Sequence, residues 1–286
     1  MNIDNVPPAV WKLLAQQAIL AAQQKKIVCK EVDDYFYDHV YRRWTIDFQP
    51  INYTSNLTGV TDIGWREVAE LWTKGHTAVL SPKDTSQGRT AMQVEKNDPA
   101  HKGTRLGEKY SDEPTVARFQ FLVSSGGGLV LLNRMRRACQ TYIADKKSTV
   151  VQWWKVFGES FAEQGQSDAC VVYLLLPHDD PLVTKFIDDY LWPNVKDIVN
   201  DRFVPVGLVQ IDNKPLWATW IPDRGKWSAV FGANTLSTHY GSAGGLMGLV
   251  FGNAFSEAVT AHPQFDADAL IPVAKENGRV ILARLA

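Results

Sequence analysis

No stretch of this 286-residue sequence offers the run of about twenty apolar residues that a membrane-spanning helix needs. The N-terminus shows no charged region followed by an apolar core, so no signal peptide is expected and the reading is a cytoplasmic protein. Cysteine is scarce. Cys29, Cys139 and Cys170 are odd in number and widely spaced, which argues against a disulfide scaffold and for a reducing compartment; no zinc pattern can be drawn from them. Net charge is almost absent: 30 Lys and Arg against 31 Asp and Glu leave a formal charge of −1, without the basic excess that nucleic acid or an anionic membrane would ask of a general partner. The patterns G-x-S-x-G, G-x-x-x-x-G-K-[ST] and H-E-x-x-H are missing, as is the kinase set, which sets aside several large enzyme classes. Neither a repeat nor a long low-complexity segment occurs.

What is present is a folding composition. Hydrophobic residues make up 45% of the chain and ten tryptophans are included, far from the polar bias of disordered sequences. The length suits one compact α+β domain, in two lobes at most. Pro8–Gln24 has helical apolar spacing behind Pro7, and Glu31–Trp44 carries an aromatic stripe that reads as core packing. Asn52–Gly64 reads as loop, and its Asn56-Leu57-Thr58 triplet is discounted as a glycosylation site without a secretory signal. Trp65–Trp72 suggests a short helix and Thr77–Leu80 a short strand. Ser81–Asp112 is the most polar stretch, with Lys83, Arg89, Lys96, Lys102, Arg105 and Lys109, and with His76 and His101 nearby. It is either a solvated insertion or a mobile basic lid that closes on an anion.

Val116–Val123 alternates Phe119, Phe121 and Val123 against Arg118, Gln120 and Leu122, the pattern of a half-buried strand with a polar second face. Ser124–Gly128 turns into a helix over Leu129–Tyr142, whose Arg134, Arg136 and Arg137 read mostly as solvent charge. The glycine-rich turn lacks the lysine-serine ending of a phosphate-binding loop. Further on, Pro181–Val199 reads as helical and broken at Pro193, and Arg202–Trp220 as irregular with one short strand. Arg224–Phe231 reads as a turn and strand, Gly241–Val259 as a buried helix, and Ala267–Ala286 as a terminal helix with a short strand at Val280–Ala283.

The centre of the chain is Val150–Leu176, two apolar strands around a polar connection. Strict alternation places Val151, Trp153, Lys155 and Phe157 on one face. Lys155 is then either a residue snorkelling at a sheet edge or a lysine held for its chemistry. With Arg118, Asp168 and the basic loop it could form an anion site with a base. Such a set suits β-elimination of phosphate from a phosphorylated serine or threonine, which needs a base for the Cα proton, cations for the phosphate and an acid for the leaving oxygen.

Two segments carry a resemblance to a known family. ARFQFLVSSGGGLVLLNRM resembles an R-[FVI]-Y-x-N-[VL]-x-P strand with its following helix, and WWKVFGESFAEQGQSDACVVYL resembles K-V-x-G-P-x-x-x-x-G-R-[SA]-D-[AG]-x-V-[VL]-Y-[LF]. Both patterns belong to the HopA-type type III effectors, a family that includes the LanY-like phospholyases of class V lanthipeptide and thioamitide biosynthesis. The resemblance covers about half the chain well. It departs at Gln166 and Gly244, where the family carries arginines, and its P-x-x-T-[KR] stretch is reduced to Phe203–Val209.

The resemblance implies a phosphothreonine-lyase-like α+β fold: a mostly antiparallel central sheet flanked by helices, with a helical lobe and mobile basic loop over residues 1–115 and a HopA-type core over 116–286. It implies a metal-independent lyase without a cofactor, acting on a phosphorylated peptide made by a partner kinase, with no nucleic acid or membrane partner. Carried over by position, Lys155 would abstract the proton, Arg118 would bind phosphate, and Asp168 and Tyr173 would orient. His76 and His101 are candidate acids, and Arg89, Lys102 and Arg105 further phosphate ligands, chosen on charge and location. The alternative is a non-catalytic effector-like protein or pseudo-lyase that binds a phosphopeptide or protein partner, which leaves secretion open.

Overall fold

The computed structural model describes residues 2–41, 95–96, 104–123, 128–157, 170–201 and 205–286. The expected loop, helix and strand between Asn52 and Leu80 and the turn at 124–127 lie outside these residues. The chain packs as two compact units. One comprises Met1–Trp44, Pro205–Val209 and Ile221–Ala286, the other Thr45–Val204 and Gln210–Trp220, so the first unit joins both ends of the sequence.

The first unit is helical. Pro8–Gln23 (α1) and Val28–Tyr35 (α2), the latter continued by a π-helical turn over Phe36–Tyr41, pack with Ala243–Ala261 (α7) and Ala267–Leu285 (α8). Trp11 meets Phe251 edge-on at 5.1 Å between ring centroids, and Phe36 reaches Phe251 at 4.9 Å. Two N-caps close the long helices: Ser242 accepts from the Gly245 N–H at 3.1 Å and Asp266 from the Ala269 N–H at 2.8 Å.

The close approach of α2 to α7 rests on absent side chains. A β-carbon at Gly252 would stand 2.4 Å from the Cys29 carbonyl oxygen, one at Gly248 2.0 Å from Asp33 Oδ1, and one at Gly244 2.5 Å from the Tyr41 ring. Glycines four apart on one helix thus receive residues 29, 33, 37 and 41 of the other, one turn at a time.

Beside this seam His239 Nε2 lies 3.0 Å from Asp33 Oδ2. That hydrogen bond raises the His239 pKa above its ordinary value, against the downward pull of burial, with further help from the Asp33 and Asp34 charges. The Cys29 thiol beside Asp33 is pushed up to about 11, first by burial and then by the Asp33 charge, so it stays neutral.

Among the described residues a seven-stranded sheet, in the order β1-β2-β4-β5-β3-β7-β6, lies in the second unit but for Val209 at the start of β6. Its strands are Glu95–Lys96 (β1), Thr104–Lys109 (β2), Ala117–Phe121 (β3), Val151–Phe157 (β4), Cys170–Leu174 (β5), Val209–Ile211 (β6) and Lys214–Trp220 (β7). The pairs β1–β2, β2–β4, β4–β5, β5–β3 and β3–β7 are all antiparallel. One face carries Phe119, Phe121, Trp154, Val156, Val172, Leu174, Leu216 and Ala218. It packs with Gly128–Lys146 (α3) and the helical run of Pro181–Lys185 (α4), a π turn over Phe186–Leu191 and Trp192–Val195 (α5). The fold is the expected α+β arrangement, an antiparallel sheet flanked by helices.

Several local expectations are corrected. β3 is buried on both faces: Phe119 and Phe121 join the core on one, and on the other Arg118 and Gln120 are buried against each other, with Arg118 beside the Tyr173 ring. Arg224–Phe231 is a helix (α6), not a strand: the Asp223 carboxylate accepts from the Gly225 and Lys226 N–H groups, and Gly232 at φ 87° ends it. No strand interrupts Val280–Ala283, since Ala274, Gly278, Ile281 and Leu285 keep one buried helical stripe. The Arg202–Trp220 stretch supplies β6 and β7, joined at Asp212-Asn213. Both of these residues have positive φ, as a two-residue hairpin turn of this hand requires. The polar stretch before residue 112 supplies β1 and β2.

Two outcomes are expected in the helical unit. Gly252→Ala forces a β-carbon against backbone and should cost roughly 1–3 kcal/mol in urea unfolding, whereas Gly278→Ala meets only the movable end of Ile3 and should cost less. Equal costs would refute the close-packed seam. The second outcome concerns pH. A group whose pKa rises on folding contributes fully below its unfolded value, about 6.5 for histidine, and that contribution is lost as pH rises through the folded value. Melting temperature should therefore drop on going above about pH 6.5, and His239→Gln should flatten that part of the profile.

Candidate functional site

The second face of the sheet is where the sequence-predicted residues meet. β4 contains a bulge between Val151, opposite Leu174, and Trp153, opposite Tyr173. The extra residue is Gln152. Its carbonyl accepts from the Tyr110 N–H at 2.7 Å and the Ser111 N–H at 3.2 Å, its Nε2 donates to the Glu113 carbonyl at 2.6 Å, and its Oε1 accepts from Thr115 Oγ1 at 2.5 Å. The bulge breaks the alternation expected from Val151 onward: Val151 turns into the core, while Trp153 and Lys155 share the opposite face.

Register then lays two rows across five strands. Lys109, Trp153, Tyr173, Arg118 and Thr219 form one; Gly107, Lys155, Val171, Gln120 and Trp217 form the other. The Trp153 and Tyr173 rings stack at 4.3 Å with an interplanar angle of 6°. Lys155 Nζ stands 5.1 Å from the Trp153 ring centroid and 5.3 Å from that of Tyr173, nearly equidistant and so beside the stack rather than over one outer face. Arg118 Cζ lies 5.6 Å from the same Tyr173 ring. Tyr173 therefore touches both candidate cations. Arg118 also donates from Nη2 to Gln120 Oε1 at 2.5 Å.

Burial grades across the face. Arg118 is 3% exposed, Gln120 0% and Thr219 1%, whereas Trp153 and Lys155 on β4 are half-buried. Lys155 is thus the more accessible cation and Arg118 the deeper one. The two register partners of Lys155 in its row are Gly107 on β2 and Val171 on β5. Arg105 stands opposite Phe157 and two residues from Gly107, and the strand period puts it at a register position on this same face. Lys109, in the Trp153 row, pairs with Asp112.

Of the residues named from sequence, Lys155, Arg118 and Tyr173 are brought together, and Arg105 is placed in register with them. His76, His101, Arg89, Lys102, Asp168 and Gln166 lie outside the described residues. Gln120, Gln152 and Gly107 were missed as functional candidates, although Gln120 and Gly107 fall at period-two spacing from Arg118 and Arg105. The late family position taken by Gly244 is filled against Tyr37 and Tyr41, with no room for a side chain. Among the described residues no group of His, Cys, Asp and Glu could hold a metal, and no helix is long and apolar enough to cross a membrane. None of the three cysteines forms a disulfide, and burial, with Cys139 adding to it, pushes the Cys170 thiol well above its ordinary value.

No family model matches the sequence, and no curated protein does. Among solved structures the chain is similar to the effector protein from Pseudomonas syringae pv. syringae strain 61. That match has a TM-score of 0.47 and 15% identity, over 93% of this chain and 91% of that one. It is also similar to the effector protein from Pseudomonas syringae pv. tomato strain DC3000, with a TM-score of 0.39 and 16% identity over 90% and 98% of the two chains. A third is the type III effector/phosphothreonine lyase OspF from Shigella flexneri, with a TM-score of 0.31 and 9% identity over 70% and 90%. At these scores the likeness does not define a site.

The two cations should differ in what they do for stability. Arg118→Met removes a buried charged donor from Gln120 Oε1, so it should cost about 1–3 kcal/mol by chemical denaturation. Lys155→Met, at a half-buried position, should change stability by about 0.5 kcal/mol or less. A Lys155 cost as large as that of Arg118 would mean that the ammonium is a structural tie.

Proposed function

We propose that the chain is a phosphoserine/phosphothreonine lyase-like protein that removes phosphate by β-elimination from a phosphorylated peptide, in lanthipeptide-type modification with a partner kinase. The observation that carries this reading is the convergence of Lys155 and Arg118 on one aromatic ring of one sheet face. In the reaction Lys155 Nζ takes the Cα proton, the C–H electron pair becomes the Cα=Cβ bond, and the Cβ–O bond breaks with its pair passing to the departing phosphate. Arg118 offsets the charge that gathers on the phosphate, with Arg105, at its register position on β2, a further candidate ligand. Tyr173 lies near both Lys155 and Arg118. His76 and His101 are the candidates for the acid.

A specific feature favours the second reading, binding without turnover by an effector-like protein. The family's late arginine position is Gly244, where Tyr37 and Tyr41 exclude a side chain. One experiment separates the two. Incubated with a phosphothreonine peptide, the protein should produce a species lighter by about 98 Da in mass spectrometry, the loss of phosphoric acid. Lys155→Ala should slow its formation by at least about a hundredfold while phosphopeptide binding changes little. Binding without any dehydro product would establish the second reading instead.

A further inference from the structure

We infer that Gln120 is a positioning residue for the anion site, an inference that rests on the reading of Arg118 as a phosphate ligand. An arginine on a buried strand can turn its guanidinium along the sheet or out toward a ligand, and what it hydrogen-bonds decides which. Gln120 lies two residues on, so the strand period puts it on the same face and within reach. Its Oε1 takes one Nη2 hydrogen at 2.5 Å, while the guanidinium stands near the Tyr173 ring at 5.6 Å from its centroid. The hydrogen bond from Nη2 restricts how a fork whose value to phosphate is directional can turn.

The choice of glutamine follows from charge. A carboxylate at residue 120 would satisfy the guanidinium and repel the phosphate, whereas an amide oxygen orients Arg118 and leaves its positive charge for the ligand. Gln120 is also followed across the sheet by Val171 and then Lys155 in one row. The small valine between them leaves the orienting amide and the candidate base on either side of the same short span.

The test is a double-mutant cycle read by calorimetric titration of inorganic phosphate into the full chain. Gln120→Met keeps the length of the side chain but not the acceptor, and should weaken phosphate binding by roughly tenfold in the wild-type background. In the Arg118→Met background the same change should have no further effect, because Gln120 acts only through Arg118. An equal loss in both backgrounds, or a fall in melting temperature with unchanged affinity, overturns the proposal. Should the variants fold poorly, the wild-type protein suffices: the Gln120 side-chain amide and Arg118 guanidinium NMR signals should shift together along one phosphate titration. Movement of Arg118 alone overturns the proposal. Phosphate binding with the predicted cycle but no elimination from a phosphopeptide defeats the lyase reading and supports the role of Gln120. Elimination with a cycle that shows no coupling does the reverse, and absence of phosphate binding by the wild type overturns both.

Discussion

One extra residue in β4 decides which way Lys155 faces. Slipping a strand by a single residue sends each of its side chains to the opposite face, so the bulge at Gln152 is the constraint on which the whole second face of the sheet depends. Before the bulge Val151 packs into the core beside Leu174; after it, Trp153 meets Tyr173 and Lys155 stands over the row of Val171 and Gln120. The bulge is held from outside the ladder. Two N–H groups converge on the Gln152 carbonyl, and its side-chain amide ties down the chain at Glu113 and Thr115. Loss of those bonds would expose Val151 or bury Lys155, and either is costly enough to keep the register fixed.

The face so formed has a polarity gradient that matches strand position. β3 lies inside the sheet and carries Arg118 and Gln120 buried, beside the equally buried Thr219 of β7. A buried guanidinium needs acceptors for its hydrogens and gains from an aromatic neighbour; here Nη2 donates to Gln120 Oε1 and the Tyr173 ring centroid stands 5.6 Å away. β4 is nearer the β1 edge, and there the half-buried Lys155 sets its ammonium beside the Trp153–Tyr173 stack. A deep cation and a more accessible one form an asymmetric pair. In the proposed elimination that asymmetry separates the group that must hold phosphate still from the group that must move a proton.

How much of this was legible in the sequence depended on whether the deciding force was local. The apolar runs of β3, β4 and β5, the helix behind Pro7 and the glycine-bearing α7 could be read because their periodicity reports burial directly. The bulge could not, since nothing in Val-Val-Gln-Trp-Trp marks an extra residue and the bonds that create it come from Tyr110–Thr115. Gln120 reads as the outer face of a half-buried strand because alternation alone does not show that the polar pair Arg118 and Gln120 is buried on the second face of the sheet. β2 was hidden in a polar stretch: Thr104–Lys109 has little to bury, and its strand state comes from pairing with β4. In α6 the capping carboxylate of Asp223 outweighed the look of a strand.

The glycine column of α7 sets the packing of the helical unit. At Gly244 Tyr37 and Tyr41 occupy the space that a β-carbon would need, so any side chain there would disturb how α2 and its π turn lie against α7. In the proposed elimination the phosphate is met by cations that the sheet presents, Arg118 first among them. The register pairs Gly107 with Lys155 and places Arg105 one strand period away, opposite Phe157. Gly107 and Arg105 belong to one strand, so both positions depend on the pairing of β2 to β4.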